Sequence, residues 1–167
     1  MKVLKLIVLQ FYWYISIKFG GDLYIPFLGG LLFFLDFLLF KKSEKLGARY
    51  LLFSIALIFV GLTMDKIFNF LGVIDWGELF YPMELIGVWL IFPTYYFHFF
   101  EKFAAKKWLA FLMGSIFGPF AYYSGGNINK NIVLSLSGQS LGMLSVFWGL
   151  FFFISIHLYI NKFHHRV

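Results

Sequence analysis

Apolar residues fall into six long runs along the chain, separated by short segments that hold most of the charges. Residues 3–19 are apolar apart from Lys5, Gln10, Ser16 and Lys18. Gly20-Gly21-Asp22 follows without a convincing small-residue cleavage site, which favours a retained first helix over a secretory signal. The second run, 23–40, has Pro26 near its start and Asp36 near its end, and leads into the basic stretch Lys41-Lys42-Ser43-Glu44-Lys45. Residues 50–71 make the third run and carry Asp65 and Lys66. At about 1.5 Å of rise per residue it can cross a hydrocarbon layer of about 30 Å. Residues 73–81 read as a short acidic loop with Asp75 and Glu78, and Pro82 suits the start of a helix over 83–100. After the basic segment 101–107, a fifth helix is expected over 108–124, a polar turn over 125–137, a sixth helix over 138–160 and a basic tail over 161–167.

Composition agrees with this pattern. The hydrophobic fraction is 61%, only 13% of residues are charged, and the mean hydropathy is +0.82. One soluble core of this size cannot hide so much apolar surface. The expectation is therefore an all-α, polytopic membrane protein: a single bundle of six transmembrane helices over 1–167, with no soluble domain. The net charge of +6 does not point to nucleic acid, because the cations sit in clusters between apolar runs. With the first residues cytoplasmic, Lys2, Lys5, Lys41, Lys42, Lys45, Arg49, Lys102, Lys106, Lys107, Lys162 and Arg166 all fall on that side, eleven of the fourteen cations. Asp22, Asp75 and Glu78 then fall opposite, with Lys130, so both termini are expected in the cytoplasm. Cysteine is absent, which removes disulfides, thiolate catalysis and cysteine metal sites.

Small residues suggest how the helices pack. Gly114 and Gly118 are four apart, as are Gly138 and Gly142, with Ser145 and Gly149 on nearly the same stripe. This spacing lets helix backbones approach closely. Pro119 removes a backbone donor and should kink or split the fifth helix, freeing a carbonyl for Tyr122, Tyr123 or a side chain of the sixth.

Ionisable residues inside the runs are the candidate chemistry, since each is costly in hydrocarbon. On the fourth helix Glu84, Gly87, Ile91, Thr94 and His98 share one face; on the third, Gly61, Asp65, Phe68 and Gly72 do. Lys66 is off that face and is expected to snorkel outward. Asp65 and Glu84 are expected near Tyr122, Tyr123, Asn127 and Gln139 in an outer polar cluster, and Asp36, His98 and His157 in an inner one, with Gln10 and Trp13 between. Hydrogen bonding that fixes helix register is the competing explanation for Asp65 and Glu84, and contact with headgroups for the histidines. No hydrolase, zincin, P-loop or dinucleotide motif is present, and no motif calls for a metal or cofactor.

The pattern Gln10-x-x-Trp13, Gly61-x-x-x-Asp65, Pro82 with Trp89, Phe92, Thr94 and His98, then Gly114-x-x-x-Gly118-Pro119-x-x-Tyr122-x-x-Gly125 and Trp148, resembles a bacterial membrane family, domain of unknown function family 2878. The resemblance implies a bacterial inner-membrane protein. Through family members encoded beside enzymes resembling cyclopropane fatty acid synthases, it also implies a link to membrane lipid modification.

Three readings follow. The leading one is an accessory protein that binds membrane lipids, through Gln10, Trp13, Glu84, Trp89, Thr94 and Tyr122, or supports a lipid-modifying enzyme. The second is an intramembrane enzyme on a lipophilic substrate, with His98 as acid or base and Asp65 orienting it or relaying a proton. The third is a small proton-coupled transporter using Asp65 and Glu84. Gly114, Gly118, Pro119 and Gly125 are structural in all three.

Overall fold

The computed structural model describes residues 2–43, 47–77, 81–99, 106–129 and 131–160, with side chains for all of these but 2–6, 39–43 and 95–99. Lys45, Glu78, Lys102, Lys130 and the tail 161–167 lie outside the described residues, as do the side chains of His98, Lys2, Lys5, Lys41 and Lys42. Among the described residues there are six helices: α1 Lys2–Lys18, α2 Tyr24–Ser43, α3 Gly47–Phe70, α4 Met83–Phe99, α5 Lys107–Ile128 and α6 Gly138–Tyr159. Two of them, α3 and α6, are long and apolar enough to cross a membrane, with mean hydropathy 2.0 and 1.9.

The connection expected to be a polar turn is something else. α5 continues through Gly125 and Gly126 to Ile128, and Val133–Leu134 (β2) then pairs antiparallel with Ile74–Asp75 (β1), Ile74 opposite Leu134 and Asp75 opposite Val133. A bond from the Ser135 amide to the Val73 carbonyl, 3.0 Å, prolongs the ribbon. Val73, Ile74, Trp76 and Ile132 are buried beneath it, so apolar side chains, and not polarity, organise these two loops. The ribbon brings the α3–α4 and α5–α6 connections to one end of the bundle. Gly20 joins them there, since a Cβ at that position would strike the Glu84 side chain.

α4 is the central helix. A single inward face is expected from its polar residues, yet every residue from Tyr81 to Thr94 is buried or half-buried. Gly87 admits Tyr12 of α1 and Ile25 of α2 on one side. On another, the Trp89 indole fills the space left by Gly61 of α3 and stacks on Trp148 of α6, with centroids 5.6 Å apart and planes 9° from parallel. Phe92, Phe151 and Phe152 complete this aromatic core.

α5 and α6 form the closest pair. Any side chain at Gly114 or Gly118 would collide with Trp148, and one at Gly149 with Ser115 and Phe111. The second expected stripe holds only at Gly149, because Gly138 and Gly142 are exposed and face open space. α5 runs unbroken through Pro119, so the proline does not split it. Nor does Tyr122 turn to the carbonyl the proline frees; its hydroxyl is used elsewhere. α4 accommodates a second internal proline, Pro93.

The outer surface of the other five helices is strongly apolar. Phe11, Phe34, Phe59, Ile116 and Ile154, one from each, are all more than half exposed. Gly118→Leu should sharply reduce the yield of monodisperse protein, since overpacking of this kind costs about 1–3 kcal/mol, whereas Gly142→Leu should leave it unchanged. Equal yields of the two variants in gel filtration would refute this account of the α5–α6 contact.

Candidate functional site

Asp65 sits about 7 Å inside the end of α3 by helical rise, and that end is sharply defined. Gly72 adopts φ +67°, where a side chain would be strained. The Gly72 amide bonds the Asn69 carbonyl at 3.0 Å and the Val73 amide the Phe68 carbonyl at 2.9 Å. Gly72 therefore ends the helix and is exposed, while Gly61, Asp65 and Phe68 are buried.

Three neutral donors from three other segments converge on the Asp65 carboxyl. The Trp89 Nε1–H of α4 reaches Oδ2 at 2.6 Å. The Tyr81 hydroxyl, just before α4, lies 3.2 Å from the same oxygen and 3.2 Å from the Leu62 carbonyl. The Tyr122 hydroxyl of α5 donates to Oδ1. A carboxylate is acceptor-only, and donors alone on both oxygens are what its ionised form satisfies. Burial, reinforced by the neighbouring Asp65, pushes the Tyr81 phenol far above its ordinary range, which keeps it a neutral donor. Trp148 packs its ring against Tyr122, centroids 6.1 Å apart, and its buried Nε1–H makes no hydrogen bond among the described residues. The nearby Lys66 is exposed, with its Nζ 5.5 Å from the Trp76 ring centroid.

This carboxylate forms part of the wall of a cleft of about 490 Å³, within the roughly 300–1,000 Å³ usual for small-molecule sites. Gln10, Trp13 and Ile17 of α1 line one side, Phe117, Ala121 and Ser124 of α5 the other, and Trp89 and Trp148 the back. Where α1 and α5 approach, a Cβ added at Gly125 would meet the Ile17 side chain at 3.9 Å, an ordinary van der Waals contact.

The cleft thus gathers Gln10, Trp13, Asp65, Trp89 and Tyr122, together with Gly118 and Gly125. Other expected members go elsewhere. Glu84 is buried and accepts from Asn129 Nδ2 at 2.6 Å, which fastens the start of α4 to the α5–α6 connection. Thr94 is buried beside the Tyr50 hydroxyl, and Gly114 and Pro119 serve the helix packing. Tyr123, Asn127 and Gln139 are exposed and take no part in an outer cluster, Asn127 bonding the Tyr123 carbonyl of its own helix at 2.8 Å. Of the expected inner cluster, Asp36 and His157 each have a different described partner. Asp36 accepts from Tyr50 at 3.0 Å, and the exposed His157 meets Lys107, Nδ1 to Nζ 2.7 Å. The His98 side chain is outside the described residues. Among the described residues no group of three or more potential metal ligands assembles. Sequence reasoning missed Tyr81, Ser124 and Asn129; only Tyr81, next to the helix-starting Pro82, carried a positional signal.

Asp65→Asn should lower the melting temperature, because it places an amide N–H₂ among donors and removes charge-assisted bonds worth about 1.5–3 kcal/mol each. Tyr122→Phe should cost less. The double variant should be little worse than Asp65→Asn alone, since the shared bond is already weakened; additive losses in thermal unfolding would show that the two residues act independently.

No curated protein and no solved structure matches the chain. A family profile does, over residues 2–154, a span that holds every residue of the cleft. The chain therefore belongs to the family described as protein of unknown function DUF2878.

Proposed function

We propose that this is a multi-pass integral membrane protein whose cleft holds the apolar chain of a membrane lipid. The observation that carries the reading is the rim of the cleft. Phe117 and Phe120 of α5 line it while 54% and 61% exposed, so the apolar cleft is continuous with the apolar outer surface of the helices. In water such a surface would drive aggregation; in hydrocarbon it is matched to its solvent, and a lipid chain can enter sideways between α1 and α5.

All six helices cross the membrane in this reading, with α4 sheathed by the others. The end carrying the ribbon holds Asp22 and Asp75 and faces away from the cytoplasm, while the basic connections and both ends of the chain face it. The membrane is the inner membrane of a bacterium. The protein acts as a lipid-binding or accessory component of membrane lipid modification, working beside a lipid-modifying enzyme. The state of Asp65 favours holding over reacting: both oxygens are occupied by donors, so the carboxylate acts as a fixed strut of the cleft wall. Glu84 has its own partner in Asn129 and adds no second acid to the cleft, which gives a proton-coupled path little support.

The cysteine-free sequence allows the topology to be read directly. Asp22→Cys and Leu136→Cys should react with a membrane-impermeant maleimide in intact spheroplasts, and Lys106→Cys only after permeabilisation. Labelling of all three in intact spheroplasts would overturn this arrangement. For the cleft, Ala121→Trp should fill the α5 side without disturbing the core, as Ala121 is exposed there. The purified variant should retain severalfold less tightly bound lipid after detergent exchange, measured by mass spectrometry. Equal retention by wild type and variant would remove the lipid from this cleft.

A further inference from the structure

Two polar side chains of the cleft have no role in holding the fold. Gln10 on the α1 wall and Ser124 on the α5 wall both line it, and among the described residues neither makes a hydrogen bond. Their depth makes this costly. Gln10 is the midpoint of α1, Lys2–Lys18, about 12 Å by helical rise from either end, and Ser124 lies about 6 Å inside the end of α5. In a membrane both positions are within the hydrocarbon layer, where an unpaired amide or hydroxyl has no water to bond. Phospholipid headgroups lie at the interface and do not reach Gln10. A saturated acyl chain would enter the cleft and leave both groups unpaired.

We propose that the ligand is a long-chain lipophile bearing a carbonyl or hydroxyl oxygen within its apolar part, and that Gln10 recognises that oxygen. The inference rests on the lipid-binding reading of the cleft. The Gln10 amide suits either function, since its N–H₂ donates to a carbonyl and its oxygen accepts from a hydroxyl. Trp13, one turn further along α1, lines the same cleft and supplies a flat apolar wall next to the polar group. Ser124 offers a hydroxyl on the facing helix. The Tyr122 hydroxyl does not compete as a donor, its proton being committed to Asp65. Two sources share this chemistry: an acyl chain oxygenated along its length, and the ring of a quinone carried on an apolar tail.

Native mass spectrometry titrations of the full-length protein separate the possibilities, with methyl stearate, methyl 12-oxostearate and a decyl-substituted benzoquinone as probes. At least one oxygen-bearing probe should bind wild type roughly fivefold more tightly than methyl stearate, as one neutral hydrogen bond would give. Gln10→Leu should abolish that preference, so that the oxygen-bearing probes bind no more tightly than methyl stearate; the substitution replaces an unbonded amide with an apolar group and spares the core. Ser124→Ala should weaken the preference without abolishing it. Tight binding of the oxostearate alone assigns the site to an oxygenated acyl chain, and of the quinone alone to a ring. Equal binding of all three probes to wild type, or a preference that persists in Gln10→Leu, overturns the proposal and leaves the lipid cleft standing. If no probe binds at all, both fall.

Discussion

A buried carboxylate held by neutral donors is the constraint on which this bundle turns. Asp65 is fully buried, and an isolated ionised carboxyl in such a place would cost far more than the few kcal/mol by which proteins are stable. Compensation comes from three N–H and O–H groups, contributed by the segment before α4, by α4 itself and by α5. Those donors reach the two oxygens only if α3, α4 and α5 hold one depth and one rotation relative to each other. The interaction is therefore more specific than strong: sliding any one helix by a turn, about 5 Å, would leave the charge uncompensated. Hydrophobic contacts alone fix register less sharply, because apolar side chains of similar volume substitute readily for one another.

Aromatic residues convert that register into a shape. Trp89 gives its indole N–H to Asp65 and its ring faces to Gly61 and Trp148, so one side chain pairs with the charge and sets the spacing of α4 from α3 and from α6. Trp148 in turn sets its indole in the space opened by Gly118, while Gly114 admits the Trp148 backbone and the Phe152 ring. A glycine on one helix is matched by an indole on the next, twice in succession. That pairing explains why small residues matter in α3 and α5 while Gly138 and Gly142, which meet no indole, are free on the surface.

Much of the site was legible in the sequence, for a physical reason. A charge or an amide inside an apolar run is conspicuous, and the expense of burying it points to a partner; Asp65 and Gln10 announce themselves in this way, Trp89 entered through the family pattern, and they meet Trp13 and Tyr122 at one cleft. The helices were legible too, to within a few residues at most ends, since their apolar runs are long. What sequence could not convey was which partner each polar group finds. Glu84 shares a helix face with Thr94, yet one bonds Asn129 from a distant connection and the other lies beside Tyr50. Helical periodicity gives direction and is silent on the neighbour. The β1–β2 ribbon escaped for the opposite reason: two-residue strands carry no periodicity, and Ile74 and Leu134 acquire meaning only once paired. Asp36 and His157 were grouped by depth alone, and depth does not bring two helices together.

The cleft itself follows from how the glycines are distributed. α5 is drawn against α6 by Gly114, Gly118 and Gly149, while α1 is held to α4 by Tyr12, which packs into Gly87 and donates its hydroxyl to the Ile25 carbonyl of α2 at 2.8 Å. Each outer helix is thus anchored to a different partner, and between α1 and α5 the contact at Gly125 and Ile17 is made without a bulky residue from α5. A packing scheme that maximised burial would place large side chains on both facing surfaces. Here large side chains such as Phe117, Phe120 and Trp13 line the cleft, yet between them α5 presents Ala121 and Ser124 and α1 presents Gln10, residues too small or too polar to fill the gap. Stability gains nothing from an amide facing an apolar space, and the ligand oxygen proposed above is what would pair it.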